Sequence, residues 1–194
     1  AEAVQESRRG DSMRIFAEVG PGNTDECLEL ASSRAAELGI EEVVVATKSG
    51  RTALKAMEKF PGMKIIAVTC HAGFKEPFKV DIAPDVRSKL DSGGVRIVTA
   101  GHALSGIERS FRLKYQGLYP LELVADTLRM FGQGTKVCVE IALMAADAGE
   151  ISGKPVLCIG GSGTGADTAI ILTPAHQKNF LEMKIHEIIC KPRL

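Results

Sequence analysis

Val43-Val44-Val45-Ala46-Thr47-Lys48-Ser49-Gly50-Arg51-Thr52-Ala53 runs from an apolar stretch through a short polar turn into a pattern carrying Leu54, Met57 and Phe60. A continuous apolar run such as Val43–Ala46 is the signature of a strand buried on both faces of a parallel sheet. The succession strand, turn, helix points free backbone N–H groups and the positive end of a helix dipole at one spot, which suits an anion. Lys48 and Arg51 add charge there, and Ser49 and Thr52 add hydroxyl donors. The residues alone leave two readings: a phosphate cradle, or a well-capped strand–helix connection with two solvated cations.

Pro61-Gly62 ends the helix that follows, and Lys64–Thr69 is the next strand, so the unit reads as a right-handed strand–helix–strand crossover. Upstream, Met13 to Val19 reads as a first strand, broken by Gly20-Pro21-Gly22. Asn23 or Thr24 is expected to cap the helix beyond, with Glu26 near a capping-box position. That helix carries Cys27, Leu28, Ala31, Ala35 and Leu38 on one face and stops at Gly39. Residues 1–12 are polar and aperiodic and are expected to be a flexible leader, with 13–194 a single domain.

Downstream of Thr69 come Cys70-His71-Ala72-Gly73 and an irregular segment to Pro84, then a short helix over Asp85–Leu90 and a strand over Val95–Thr99. His102 directly follows that strand, where open α/β sheets place ligands. The segment beyond holds Arg109, Arg112 and Lys114, which also fits a solvated helix with a basic face. Pro120 opens a helix with Leu121, Val124, Leu128 and Phe131 facing inward. In the next helix, Thr135 to Ala148, the polar side chains Lys136, Glu140 and Asp147 occupy one narrow stripe of an otherwise apolar circumference. Such a helix needs burial on several sides, by central packing or at a subunit interface. The interface is the favoured expectation, hence a homo-oligomer.

Val156–Gly160 is a further apolar strand, followed by Gly161-Ser162-Gly163-Thr164-Gly165-Ala166-Asp167. The spacing matches a dinucleotide fingerprint formally, but a fingerprint must open a helix and Thr168–Thr173 is β-rich before Pro174. The stretch therefore reads as an antiparallel hairpin. Its glycines either bring backbone N–H groups to a ligand or simply supply positive φ. Lys184–Cys190 reads as an edge strand blunted by its charges.

Formal net charge is zero, which argues against a nucleic-acid footprint or a polybasic membrane contact. Charged residues interrupt every apolar run before it could cross a bilayer, and the N-terminus lacks a signal-peptide pattern, so a cytoplasmic location is expected. Five cysteines without a C-x-x-C pair argue against a disulfide framework or a zinc ribbon. No metal site is expected. Cys70 beside His71 is a weak case for a nucleophile, since neighbouring strand residues face opposite ways.

The run from Val43 to Ala53, followed by Ile65–Thr69, resembles the C-terminal α/β domain of pyruvate kinase. The resemblance implies that Thr47, Lys48, Ser49, Gly50, Arg51 and Thr52 form that family's effector-phosphate loop, with Thr52 in place of a serine. The strand–glycine loop–strand from Pro155 to Leu172 looks like its second effector loop, though without an Arg. The chain from about Met13 also resembles stand-alone, largely archaeal proteins of this fold, through Lys136–Glu140, Met144–Asp147, Gly165–Ala169 and Gly101–Arg109. The implied architecture is a three-layer α/β/α fold with a mostly parallel sheet and an antiparallel C-terminal edge. The implied function is binding of a phosphorylated small molecule, flavin mononucleotide (FMN) first, without pyruvate kinase activity. Its phosphate would lie on residues 47–52, and Gly160, Gly161, Ser162, Gly163, Thr164, Gly165, Ala166 and Asp167 would pack against the ring or ribityl chain. His71 and His102 complete the expected site. The alternatives are a sensor of a sugar bisphosphate, or a flavin-dependent enzyme using His71, His102 or Asp167 for acid–base work.

Overall fold

The computed structural model describes residues 12–194. The leader expected at 1–12 lies outside them except for Ser12. Seven strands form one sheet in the order β1-β7-β6-β5-β2-β3-β4. In chain order these are β1 (Arg14–Phe16), β2 (Glu42–Ala46), β3 (Lys64–Thr69), β4 (Arg96–Thr99), β5 (Val156–Gly160), β6 (Thr168–Thr173) and β7 (Lys184–Pro192). Pairing is parallel for β1–β7, β2–β3, β2–β5 and β3–β4. Only β6 runs against its neighbours, β5 and β7, which puts the antiparallel part toward the C-terminal edge as expected.

The period of two decides which layer each side chain joins. Val43, Val45, Ile65, Ala67, Leu157 and Ile159 pack into one core with α1 (Thr24–Leu38), α2 (Arg51–Lys59) and α3 (Pro84–Ser92). Val44, Ile66, Val68, Val156 and Cys158 pack into the other, beneath α5 (Pro120–Arg129) and α6 (Gln133–Asp147). Helix α4 (Glu108–Tyr115) has no buried residue. The result is the three-layer α/β/α arrangement.

Several expectations need correction. Strand β7 is not an edge strand: its last residues, Cys190–Pro192, pair with Arg14–Phe16, while Lys184–Ile189 stays beside β6 alone. The first strand stops at Phe16 because β7 offers it only three partners. Asn23 does not cap α1 with its side chain. Its Nδ2 donates to Glu18 O at 2.7 Å, and Glu26 accepts from Arg14 Nε, so the capping box is not formed. Leu38 and Phe131 are exposed rather than inward.

Helix α6 also finds its burial within the chain. It lies across β5, β2, β6 and β3 and against α5, so twelve of its residues from Gly134 to Ala146 are buried. The sheet has seven strands, wide enough to hide one helix almost completely, and no second subunit is needed to explain the apolar circumference. Cys27, Cys138, Cys158 and Cys190 are buried free thiols and Cys70 is half-buried. No helix among the described residues is long and apolar enough to cross a membrane.

Candidate functional site

The chain advances β2 to β3 to β4 in one direction, then returns to place β5 on the other side of β2. Strand order therefore reverses between β2 and β5. The turn after β2 and the hairpin loop after β5 leave these two neighbouring strands side by side at their carboxyl ends, where open α/β sheets place ligands. A cavity of about 720 Å³ occupies that position.

Its first wall is the turn after β2. Thr47 N–H donates to Val68 O at 2.9 Å, anchoring the turn to β3. Thr47 Oγ1 accepts the N–H of Gly50 at 3.1 Å, which reverses the chain into α2. Gly50 has φ +86° and precedes Arg51 as the N-terminal cap; its carbonyl accepts Leu54 N–H at 2.9 Å. No side chain caps the helix. The N–H groups of Arg51, Thr52 and Ala53 thus keep no protein acceptor among the described residues. Thr47 and Thr52 are buried, whereas Arg51 is exposed, its Nε 3.3 Å from Ser49 Oγ. Lys48 Nζ stands 4.8 Å from the centre of the Phe74 ring and 3.9 Å from Asp81 Oδ2, a buried oxygen with no hydrogen-bond partner.

The second wall is the glycine loop. Here Asp167, fully buried, acts as a brace: its Oδ2 accepts Gly20 N–H at 3.0 Å and Ser162 N–H at 3.1 Å, and its Oδ1 accepts the Thr168 hydroxyl at 2.9 Å. Ala166 N–H donates to Thr24 Oγ1 at 3.0 Å. Gly165, at φ +73°, lies so close to the start of α1 that a Cβ would come within 2.6 Å of Pro21 Cα. The loop is therefore clamped onto the N-terminal end of α1, with Gly161, Gly163, Thr164 and Gly165 left facing the cavity.

The third wall was not legible as a site. The polar stripe of α6 faces inward at its first two members: Lys136 and Glu140 form a buried ion pair, and Glu140 Oε1 accepts Leu104 N–H at 3.0 Å. Both line the cavity, with Val137, Ile141 and Met144 supplying apolar surface between them. Asp147, two turns on, instead accepts from Gln177 Nε2 at 2.6 Å and lies 2.8 Å from His176 Nδ1 at the opposite end. His102 stacks edge-on against both His71 and Phe74, each with ring centres 5.4 Å apart. Burial holds the His102 imidazole below its ordinary value of 6.5, only partly offset by Glu140. At neutral pH it is an uncharged donor and acceptor.

The cavity thus brings together Thr47, Lys48, Ser49, Arg51, Thr52, His102 and four residues of the glycine loop. Other expected residues stand behind it. Gly50 shapes the turn; Gly160 ends β5; Ser162, Ala166 and Asp167 fix the loop; His71 touches the site through the His102 and Phe74 rings. Asp167, with both oxygens engaged, is not placed for acid–base work. The Cys70 thiol does line the cavity, but burial raises its pKa, the reverse of an activated nucleophile. Residues that sequence reasoning missed include Lys55, Phe74, Arg129 and the Lys136–Glu140 pair. One signal was available for the last: opposite charges four residues apart within an apolar helix.

Residues 25–172 match the family model described as pyruvate kinase, alpha/beta domain, and the chain belongs to that family. Among solved structures it is similar to a pyruvate kinase from Cryptosporidium parvum, at 15% identity over 78% of this chain and 23% of that one, with a TM-score of 0.40. A C. parvum pyruvate kinase in complex with ADP is 17% identical over 86% of this chain and 23% of that one, with a TM-score of 0.38. The chain spans about a quarter of the length of these enzymes.

Proposed function

We propose that this member of the pyruvate kinase α/β domain family binds a phosphorylated small molecule at the switch point between β2 and β5. The observation that carries the reading is the convergence of two loops on one 720 Å³ cavity: the turn at Thr47–Thr52, whose helix N-terminus has open N–H groups, and the clamped glycine loop. A phosphate on the turn would accept from the Arg51–Ala53 amides and from Lys48 and Arg51, the arrangement that favours an anion at a helix start. A cavity of this volume suits a cofactor-sized ligand.

FMN is our first candidate. Leu104, Val137, Ile141 and Met144 offer an apolar surface for a flat ring, and the uncharged glycine loop suits a neutral group beside it. The proposed role is ligand binding rather than the kinase reaction, since the matched family model is that of the α/β domain. Absorbance of freshly purified protein, with thermal unfolding in the presence of added FMN, tests the assignment. A flavin spectrum, or a melting temperature that rises with FMN concentration but not with riboflavin, is the expected result. Colourless protein indifferent to FMN would remove the flavin. Indifference to every phosphate ester tried would remove the cradle as well.

A further inference from the structure

Helix α6 brings two neighbouring rows of side chains to the cavity. Val137, Ile141 and Met144 form an apolar row, and Lys136 and Glu140 run beside it. The polar row is costly to keep there, because the two side chains are only 8% and 7% exposed. It is also incompletely paired. Lys136 Nζ carries three N–H donors, and Glu140 Oε2 is its one acceptor among the described residues. Glu140 Oε1 accepts Leu104 N–H at 3.0 Å, so each carboxylate oxygen keeps a lone pair. His102, on the same cavity wall, feels both charges: Glu140 favours its protonation and Lys136 opposes it. A buried donor left without an acceptor costs about 1–3 kcal/mol. Two such donors on a cavity wall call for an acceptor from the ligand.

The pair has no net charge, so an anion there would meet Glu140 and a cation would meet Lys136. A neutral group that holds an acceptor beside a donor is repelled by neither and satisfies both. We propose that Lys136 and Glu140 read the edge of a lactam or imide ring. The ammonium donates to a ring carbonyl, and the carboxylate accepts the adjoining ring N–H. The face of the ring lies on the apolar row of Val137, Ile141 and Met144, which runs beside the pair. The inference rests on the reading of the cavity as the site of a phosphate ester, and it specifies the ring at the other end of that ester. The isoalloxazine of FMN has such an edge. Adenine, with an amino group beside an unprotonated nitrogen, does not.

Two matched pairs of phosphate esters test it by calorimetry. FMN and 3-methyl-FMN differ in the ring N–H, and inosine and adenosine 5′-monophosphates differ in having or lacking the lactam edge. The native chain is expected to bind the lactam or imide member of at least one pair about tenfold more tightly than its mate. The double variant Lys136→Met/Glu140→Gln removes the ammonium and puts an amide N–H in place of one carboxylate oxygen. It is expected to lose the preference, with urea unfolding to confirm that it is folded. Equal affinities within both pairs, a preference that survives in the folded double variant, or no binding of any probe at millimolar concentration overturns the inference. The native comparisons decide the matter even where the variant is unstable. The two readings fail separately. Tight FMN binding with no preference in either pair keeps the flavin and removes the role of the pair. A preference for the inosine ester with neither flavin bound keeps the pair and removes the flavin.

Discussion

Gly50 is where fold and site depend on one atom, and replacing it with Ala gives the sharpest prediction. The residue has φ +86°, and a Cβ there would overlap Val86 Cγ1 and stand 3.4 Å from Leu90 Cδ1 on α3. Two costs follow. Holding Ala in the left-handed region costs about 1–2 kcal/mol, and forcing a methyl group into the α2–α3 contact costs about 1–3 kcal/mol. Together Gly50→Ala should lose about 2–5 kcal/mol, a large part of the roughly 5–15 kcal/mol typical of a domain. The two costs separate in a double-mutant cycle followed by urea unfolding. Val86→Ala alone removes a half-buried side chain and should cost about 1 kcal/mol. In the double variant the overlap is gone, so its loss should fall about 1–3 kcal/mol short of the sum of the single losses. The reasoning fails if Gly50→Ala costs less than about 1 kcal/mol or if the two changes are additive.

Breaking the buried pair by Lys136→Met leaves Glu140 unpaired and should cost about 3–5 kcal/mol by chemical denaturation. Adding Glu140→Gln, which keeps an acceptor for Leu104 N–H, should restore most of it; a double variant no more stable than the single would refute the account. His102 titrates below its ordinary 6.5 because the charged ring is disfavoured by burial. The folded state therefore binds fewer protons than the unfolded one just below pH 6.5, so stability present above that pH is lost as pH falls toward the depressed value. His102→Gln should flatten the stability profile just below pH 6.5, and an unchanged slope would show that the imidazole is not the group responsible.

The central strands were legible because each is a short apolar run bounded by turn residues. Val43–Ala46, Lys64–Thr69, Val156–Gly160 and Thr168–Thr173 carry their burial in their own composition. The turn at Thr47–Thr52 was equally local. Its donors, its glycine and the helix start are consecutive, so their meeting requires no tertiary information.

Other features depend on contacts between distant residues, and the sequence could not order them. Whether β7 is an edge depends on Phe16 reaching Pro192 across almost the whole chain. Asn23 reads as a cap, yet the chain entering from Glu18 claims its amide first. Asp167 looks like an acid in a glycine loop until Gly20 and Ser162 are found on its oxygen. The same limit applied to α6, whose near-continuous apolar surface argued for a partner subunit. Only the width of the sheet shows that one chain can cover it, and only the switch point shows that Lys136 and Glu140 face a cavity. Local chemistry determined the elements and the first phosphate wall. The strand order, a property of the whole chain, decided what stands opposite that wall.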